Sequence, residues 1–221
     1  MKNTPRTFRA SPTVARLAVL ICLALACAPA AFAQGGGSSR ASARRRPAVR
    51  RAARSRKPAR RPDVIFVPTP EETVAEMLRL AKLKPGDVLY DLGSGDGRIP
   101  IAAAKQYGVR AVGIEIDPQL VSEAAEAARA AGVSDLVTFR QEDLFRADFR
   151  EASVVTLYLS DRLNVLLRPK LLRELRPGTR IISHDFRMGI WEPEQTVRVP
   201  WKNLYRTVYV WTVPRGGRIK R

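Results

Sequence analysis

The stretch VLYDLGSGDGRIP, residues 88–100, decides how the rest of the chain is read. An apolar run closes on Asp91, and Gly93, Gly95 and Gly97 then alternate with Ser94 and Asp96. The run predicts a buried strand over 88–92, and the glycines predict a loop whose backbone can approach a ligand closely. A helix over 99–107 follows, ended by Gly108. Outward from there the pattern repeats: a strand at 111–116, an alanine-rich helix at 118–131 stopped by Gly132, and strands at 136–141 and 154–159. Asp161 caps a helix running towards Leu175, with Pro169 as a kink or break, and Pro177-Gly178 turns the chain into a strand at 180–183. Upstream, Thr69-Pro70-Glu71-Glu72 predicts a capping box opening a helix, whose apolar face holds Val74, Met77, Leu78, Leu80 and Ala81. Strands alternating with helices predict an α/β fold, a parallel sheet covered by helices on both faces. Stretches 196–199 and 205–213 lie too close for a crossover, which predicts an antiparallel pair at the sheet edge.

Charge is distributed very unevenly. Residues 1–62 hold 15 Lys/Arg and no acidic residue, which leaves 24 basic and 21 acidic residues in 63–221. The formal net charge of +18 therefore belongs mostly to the N-terminal segment. Both cysteines, Cys22 and Cys27, lie in that segment, and His184 is the single histidine. A thiolate or imidazole metal site in the body is excluded by this supply, since such sites need several such ligands. No glycine-flanked serine accompanies His184, which argues against a serine hydrolase.

Residues 1–33 have the layout of a secretory signal peptide: a basic start, an apolar middle from Leu17, and Ala31-Phe32-Ala33 before a cleavage point after Ala33. The alternative is an uncleaved membrane anchor over 17–33, with the body kept cytoplasmic by the positive-inside rule. Residues 34–62 are rich in Arg, Ala, Pro, Gly and Ser and predict a disordered basic linker, able to lie on an anionic membrane surface. No aromatic residue is interleaved for base stacking, which argues against specific nucleic-acid recognition. Residues 63–221 form the folded domain.

In an open parallel sheet, ligands bind beyond the carboxyl ends of the strands, where the loop at 93–97 sits. Its glycines do not match the G-x-G-x-x-G spacing of a dinucleotide site, because the third comes one residue early. Asp91 and Asp96 flank it, and a phosphate 4 Å from a carboxylate would be repelled by about 4 kcal/mol at an effective dielectric near 20. A ligand carrying an amine and a sulfonium would be attracted, and S-adenosylmethionine has both and no phosphate. Its carboxylate can use the loop N–H groups. Glu115, at the end of the second strand and 22 residues beyond Gly93, is placed to meet ribose hydroxyls. Asp143, at the end of the third, is placed to accept from the adenine amino group.

DLGSGDGRI, VGIEID and EDLF resemble the nucleoside-binding motifs of class I S-adenosylmethionine-dependent methyltransferases, over roughly residues 63–213. FVPTPEETVAEML, VVTLYLS and LRPKLLRELRPGTRIISHDF resemble one branch of that family, the archaeal protein-lysine methyltransferases and the mitochondrial enzymes acting on ATP synthase c-subunit and adenine nucleotide translocase. The resemblance implies a seven-stranded sheet of order 3-2-1-4-5-7-6, a protein partner with an accessible lysine, and transfer of a methyl group to its amine by in-line displacement.

A lysine acceptor must arrive neutral, and deprotonating an amine of pKa about 10.4 at pH 7 costs about 4–5 kcal/mol. The fourth strand ends in Thr156-Leu157-Tyr158-Leu159-Ser160, without the Asn/Asp-Pro-Pro-aromatic signature of amide and adenine methyltransferases. Tyr158 is the candidate to line the slot and accept from the amine, with Ser160 and Asp161 at the rim. His184 and Asp185 end the fifth strand at the same edge as candidate catalytic or positioning groups. Thr69 and Phe66 are candidates to close over the cofactor, and Trp191, Trp201 and Trp211 to pack core or edge. Two other functions compete: methylation of a small molecule or RNA, and an exported, catalytically silent binding protein on the same fold.

Overall fold

The computed structural model describes residues 62–217 and Ile219. The signal or anchor segment, and the linker up to residue 61, lie outside the described residues. Among the described residues, four α-helices and seven strands build the fold: α1 (Glu71–Ala81), β1 (Val88–Leu92), α2 (Arg98–Tyr107), β2 (Arg110–Glu115), α3 (Pro118–Ala130), β3 (Val137–Gln141), β4 (Val154–Leu157), α4 (Asp161–Glu174), β5 (Arg180–His184), β6 (Gln195–Trp201) and β7 (Leu204–Thr212). They form one seven-stranded sheet of order β3-β2-β1-β4-β5-β7-β6, the order the resemblance implied. β1 to β5 pair in parallel, and β7 lies antiparallel between β5 and β6. Among the described residues no helix is long and apolar enough to cross a membrane.

The two-residue period of the strands sorts side chains onto two cores. Leu89, Val154, Ile182, Val208 and Val210 pack against α1, α2 and α3 through Met77, Leu78, Ala103 and Ala128. Leu92, Val155, Leu157, Ile181 and Trp211 pack on the other face against Leu163, Leu167 and Leu171 of α4 and against Phe149. Trp211 is fully buried, and its indole N–H donates to the Trp191 carbonyl at 2.9 Å. This agrees with the core packing expected of those two tryptophans.

Two helix starts differ from expectation. The Thr69 hydroxyl caps nothing: α1 begins after Pro70 without a side-chain cap, and the hydroxyl lies 3.2 Å from His184 Nδ1. Thr69 is buried, so its hydroxyl must find a partner inside, and the imidazole at the end of β5 supplies it. The cap of α4 is Ser160 rather than Asp161, with its hydroxyl accepting the Leu163 N–H at 3.2 Å. Pro169 does not break α4. It sits on the exposed side, while Leu163, Leu167 and Leu171 hold the helix down on the opposite side.

Candidate functional site

β1 delivers Asp91 to the carboxyl edge of the sheet, and the loop beyond it is pinned to β2. The Gly93 and Ser94 N–H groups both donate to the Ile114 carbonyl, at 2.8 and 3.0 Å. Gly95 has φ 53°, and a Cβ there would strike the Phe66 ring. Gly97 has φ 79° and ends the loop as the N-cap of α2. Glu115, the last residue of β2, ties loop and strand together. Its carboxylate accepts from the N–H groups of Gly95 (2.9 Å), Ile116 (2.7 Å) and Asp117 (3.0 Å). Asp96 pairs with Arg98, whose Nη1 donates to the Thr69 carbonyl at 2.8 Å, so the loop is also bound to the start of α1.

These elements wall a cavity of about 530 Å³, lined by Asp91, Gly93, Ser94, Asp96, Glu115 and Asp143 on one side. Phe66, Thr69, Tyr158 and Leu159 also line it, so the arm before α1 closes part of the mouth. Asp91 is sealed from water, and burial pushes its carboxyl up to about 7 against the pull of the Thr156 hydroxyl, with Glu115 and Asp96 adding repulsion. Asp143 accepts the Phe145 N–H at 3.0 Å. The Ser94 hydroxyl is buried with no protein partner.

Of the residues expected at the site, Thr69, Asp91, Gly93, Ser94, Asp96, Glu115, Asp143 and Tyr158 line this cavity. Gly95 and Gly97 belong to the same loop but do not line the cavity. Tyr158 is half-buried, and its ring lies stacked on the His184 imidazole with centroids 3.8 Å apart and planes 25° from parallel. Burial raises the Tyr158 phenol, with Arg206 opposing and Asp185 reinforcing. His184 is fully buried and does not reach the cavity; burial lowers its imidazole to about 4, so it is uncharged at neutral pH. Asp185 turns away towards β7, accepting from the Thr207 N–H at 2.7 Å and Arg206 Nη1 at 3.1 Å. Arg206 and Arg98 were not singled out in the sequence. Nothing in the spacing of isolated arginines distinguishes them from the many others in this chain.

A cavity at the carboxyl edge of β1–β4, with a glycine loop and three mutually felt carboxylates, suits a cationic nucleoside ligand. The model of the family described as the ANTKMT methyltransferase domain matches residues 91–195, which span the glycine loop, Glu115, Asp143 and Tyr158. A protein-lysine N-methyltransferase of Saccharolobus islandicus is 42% identical over 153 residues, covering 69% of this chain and 95% of the relative. The chain belongs to this methyltransferase family. The mouse adenine nucleotide translocase lysine N-methyltransferase is 38% identical over 135 residues, and there the chain spans 58% of the relative's length. A solved structure described as an RNA methyltransferase from Salinibacter ruber, in complex with S-adenosyl-L-homocysteine, is 57% identical. It covers 67% of this chain and 95% of its own, with a TM-score of 0.64.

S-adenosylmethionine is the cofactor of this methyltransferase, and the cavity fits it. The loop backbone is held open by left-handed glycines, the Ser94 hydroxyl is a buried polar group without a protein partner, and a cationic ligand would ease the charge on the buried Asp91.

Proposed function

We propose that the methyltransferase transfers a methyl group to the side-chain amine of a protein lysine. The observation that carries this reading is Tyr158, presented at the cavity wall by the end of β4 and backed by an uncharged imidazole. The bound cofactor supplies an activated methyl group on a sulfonium. The chain's residues hold, align and exclude water. Asp91, Gly93, Ser94, Gly95, Asp96 and Gly97 hold the amino-acid end, Glu115 the ribose, Asp143 the adenine, and Thr69 with Phe66 closes the mouth. The Tyr158 hydroxyl accepts a hydrogen bond from the neutral acceptor amine and orients its lone pair, and the amine loses its proton to water before transfer. The names of the Saccharolobus and mouse relatives support a lysine acceptor.

Methylation of RNA is the second reading, favoured by the description of the Salinibacter structure. Incubating the full chain with extracts of its source and cofactor labelled in the methyl group separates the two. Protease-sensitive label that yields methyl-lysine on acid hydrolysis supports the lysine reading. Nuclease-sensitive label supports the other, and no transferred label supports a silent binding protein.

For the N-terminal third we propose a membrane-directing role. Residues 1–33 act as a signal peptide or membrane anchor, 34–62 as a basic linker able to reach anionic lipid, and 63–221 as the catalytic domain. Export places the domain outside the cytoplasm; a retained anchor with the domain facing inward keeps it beside its cofactor. Topology reporters fused after Arg221 distinguish the two arrangements.

A further inference from the structure

Behind Tyr158 the end of β5 and the start of β7 are joined by a continuous set of contacts. Asp185 has a left-handed φ of 58°, a conformation aspartate tolerates better than most residues. Its peptide N–H donates to the Thr207 carbonyl at 2.7 Å, and its Oδ1 accepts the Thr207 N–H at 2.7 Å, so both ends of the residue are fastened to β7. Its Oδ2 accepts from Arg206 Nη1 at 3.1 Å and stands 3.3 Å from His184 Nε2. The Arg206 guanidinium lies 4.2 Å above the Trp201 ring. On its other side, His184 Nδ1 is 3.2 Å from the Thr69 hydroxyl.

We infer that Arg206 is a positioning residue: together with Asp185 it fixes His184 as a neutral imidazole, Nε2–H towards the carboxylate, and so holds the Tyr158 ring at the acceptor wall. This rests on the lysine reading only for the role given to Tyr158.

A lone carboxylate 3.3 Å from a buried imidazole would favour the imidazolium. Arg206, on the same carboxylate oxygen, offsets that pull. Nε2 makes no hydrogen bond within the protein, so the carboxylate acts on the imidazole through its charge at 3.3 Å, which favours a proton on Nε2 and leaves Nδ1 to accept from the Thr69 hydroxyl. The charged and titratable groups facing His184 are Asp185 from its own strand end, Arg206 from β7 and Tyr158 from β4, while Thr69 faces it from the start of α1. Asp185 and Arg206 act in opposite directions on both His184 and Tyr158. An uncharged ring can then stack on Tyr158 without placing a cation beneath a slot that must take an amine.

His184 is the chain's single histidine, so 15N-histidine labelling of the untagged full chain gives one imidazole to follow by NMR. The expected wild-type signal is the neutral Nε2–H tautomer, persisting down to about pH 5, since burial holds the group near 4. Arg206→Met is expected to move the titration midpoint up by about one pH unit. With a midpoint of about 5 the ring is still neutral at pH 7, so the roughly tenfold fall in kcat expected there comes from the Tyr158 ring losing its support, with cofactor affinity by calorimetry within about twofold. Arg206→Lys should fall between the two. An Nδ1–H tautomer in the wild type, or an unchanged titration or kcat in Arg206→Met, would overturn the inference. So would a parallel collapse of cofactor binding in both variants, which would mark Arg206 as a purely structural residue. The imidazole readout needs no acceptor, so a wild type that methylates no lysine would sink the functional reading and leave this test standing.

Discussion

Asp91 Oδ1 accepts the Thr156 hydroxyl at 2.7 Å across the β1–β4 pair, and both side chains are closed off from solvent. The carboxyl therefore carries a proton in the folded state at pH values where the unfolded chain has lost it, because its folded value is about 7. For such a group stability falls as pH rises from about 4 to about 7 and is level above. Asp91→Asn is expected to remove this slope and to raise the stability of the cofactor-free protein at pH 8, by up to about 4 kcal/mol. Cofactor binding should be lost in the same variant. In the wild type, affinity should strengthen as pH rises through about 7. Thermal melts and calorimetry across pH 5–8.5 check both; a flat wild-type stability profile would refute the assignment.

Glu115 holds three N–H groups, including that of Gly95. In Glu115→Gln an amide NH₂ would face one of those donors, and the charge-assisted bonds would be lost, at about 1.5–3 kcal/mol each. Cofactor affinity is expected to weaken by at least about tenfold, with amide exchange at Gly95 becoming faster. Calorimetry and hydrogen exchange read these out separately.

Gly95→Ala is opposed twice, by the left-handed backbone and by the Phe66 ring in the path of the new Cβ. The backbone part alone costs about 1–2 kcal/mol. Pairing it with Phe66→Ala should relieve the clash and not the backbone cost. The double variant is expected to recover part of the melting temperature lost in Gly95→Ala, and full recovery would show that the loop backbone is not strained by a side chain.

Tyr158→Phe keeps the ring that stacks on His184 and deletes only the hydroxyl. The expected result is a kcat lower by at least about tenfold, with unchanged cofactor affinity and melting temperature. Loss of stability instead would place the phenol in the scaffold rather than at the acceptor.

The sheet, the glycine loop and the carboxylates at the ends of β1, β2 and β3 were legible because periodicity and turn residues are local signals. Even the antiparallel end of the sheet followed from the short loop between its strands. What escaped depends on contacts between distant residues. Thr69 looks like a helix cap from its neighbours, yet its hydroxyl goes to His184, 115 positions away. Pro169 looks like a break, yet the leucines on the opposite face of α4 carry the helix through it. Asp185 looked like a group for the chemistry, and the structure turns its carboxylate to Thr207 and Arg206. Sequence spacing carries no sign of which strand a carboxylate will face once β7 has inserted beside β5.

That insertion has a consequence for how acceptor choice can diverge. Because β7 runs against its neighbours, its opening residues return to the same rim as the ends of β4 and β5, directly after the tight turn that joins it to β6. The cavity is walled mainly by residues between 91 and 144 with the arm before α1, while the support behind Tyr158 includes Asp185 and Arg206. Substitutions at the hairpin can thus retune how the acceptor is held while leaving the donor half untouched, so two members of such a lineage can share one pocket and part company at a single bend.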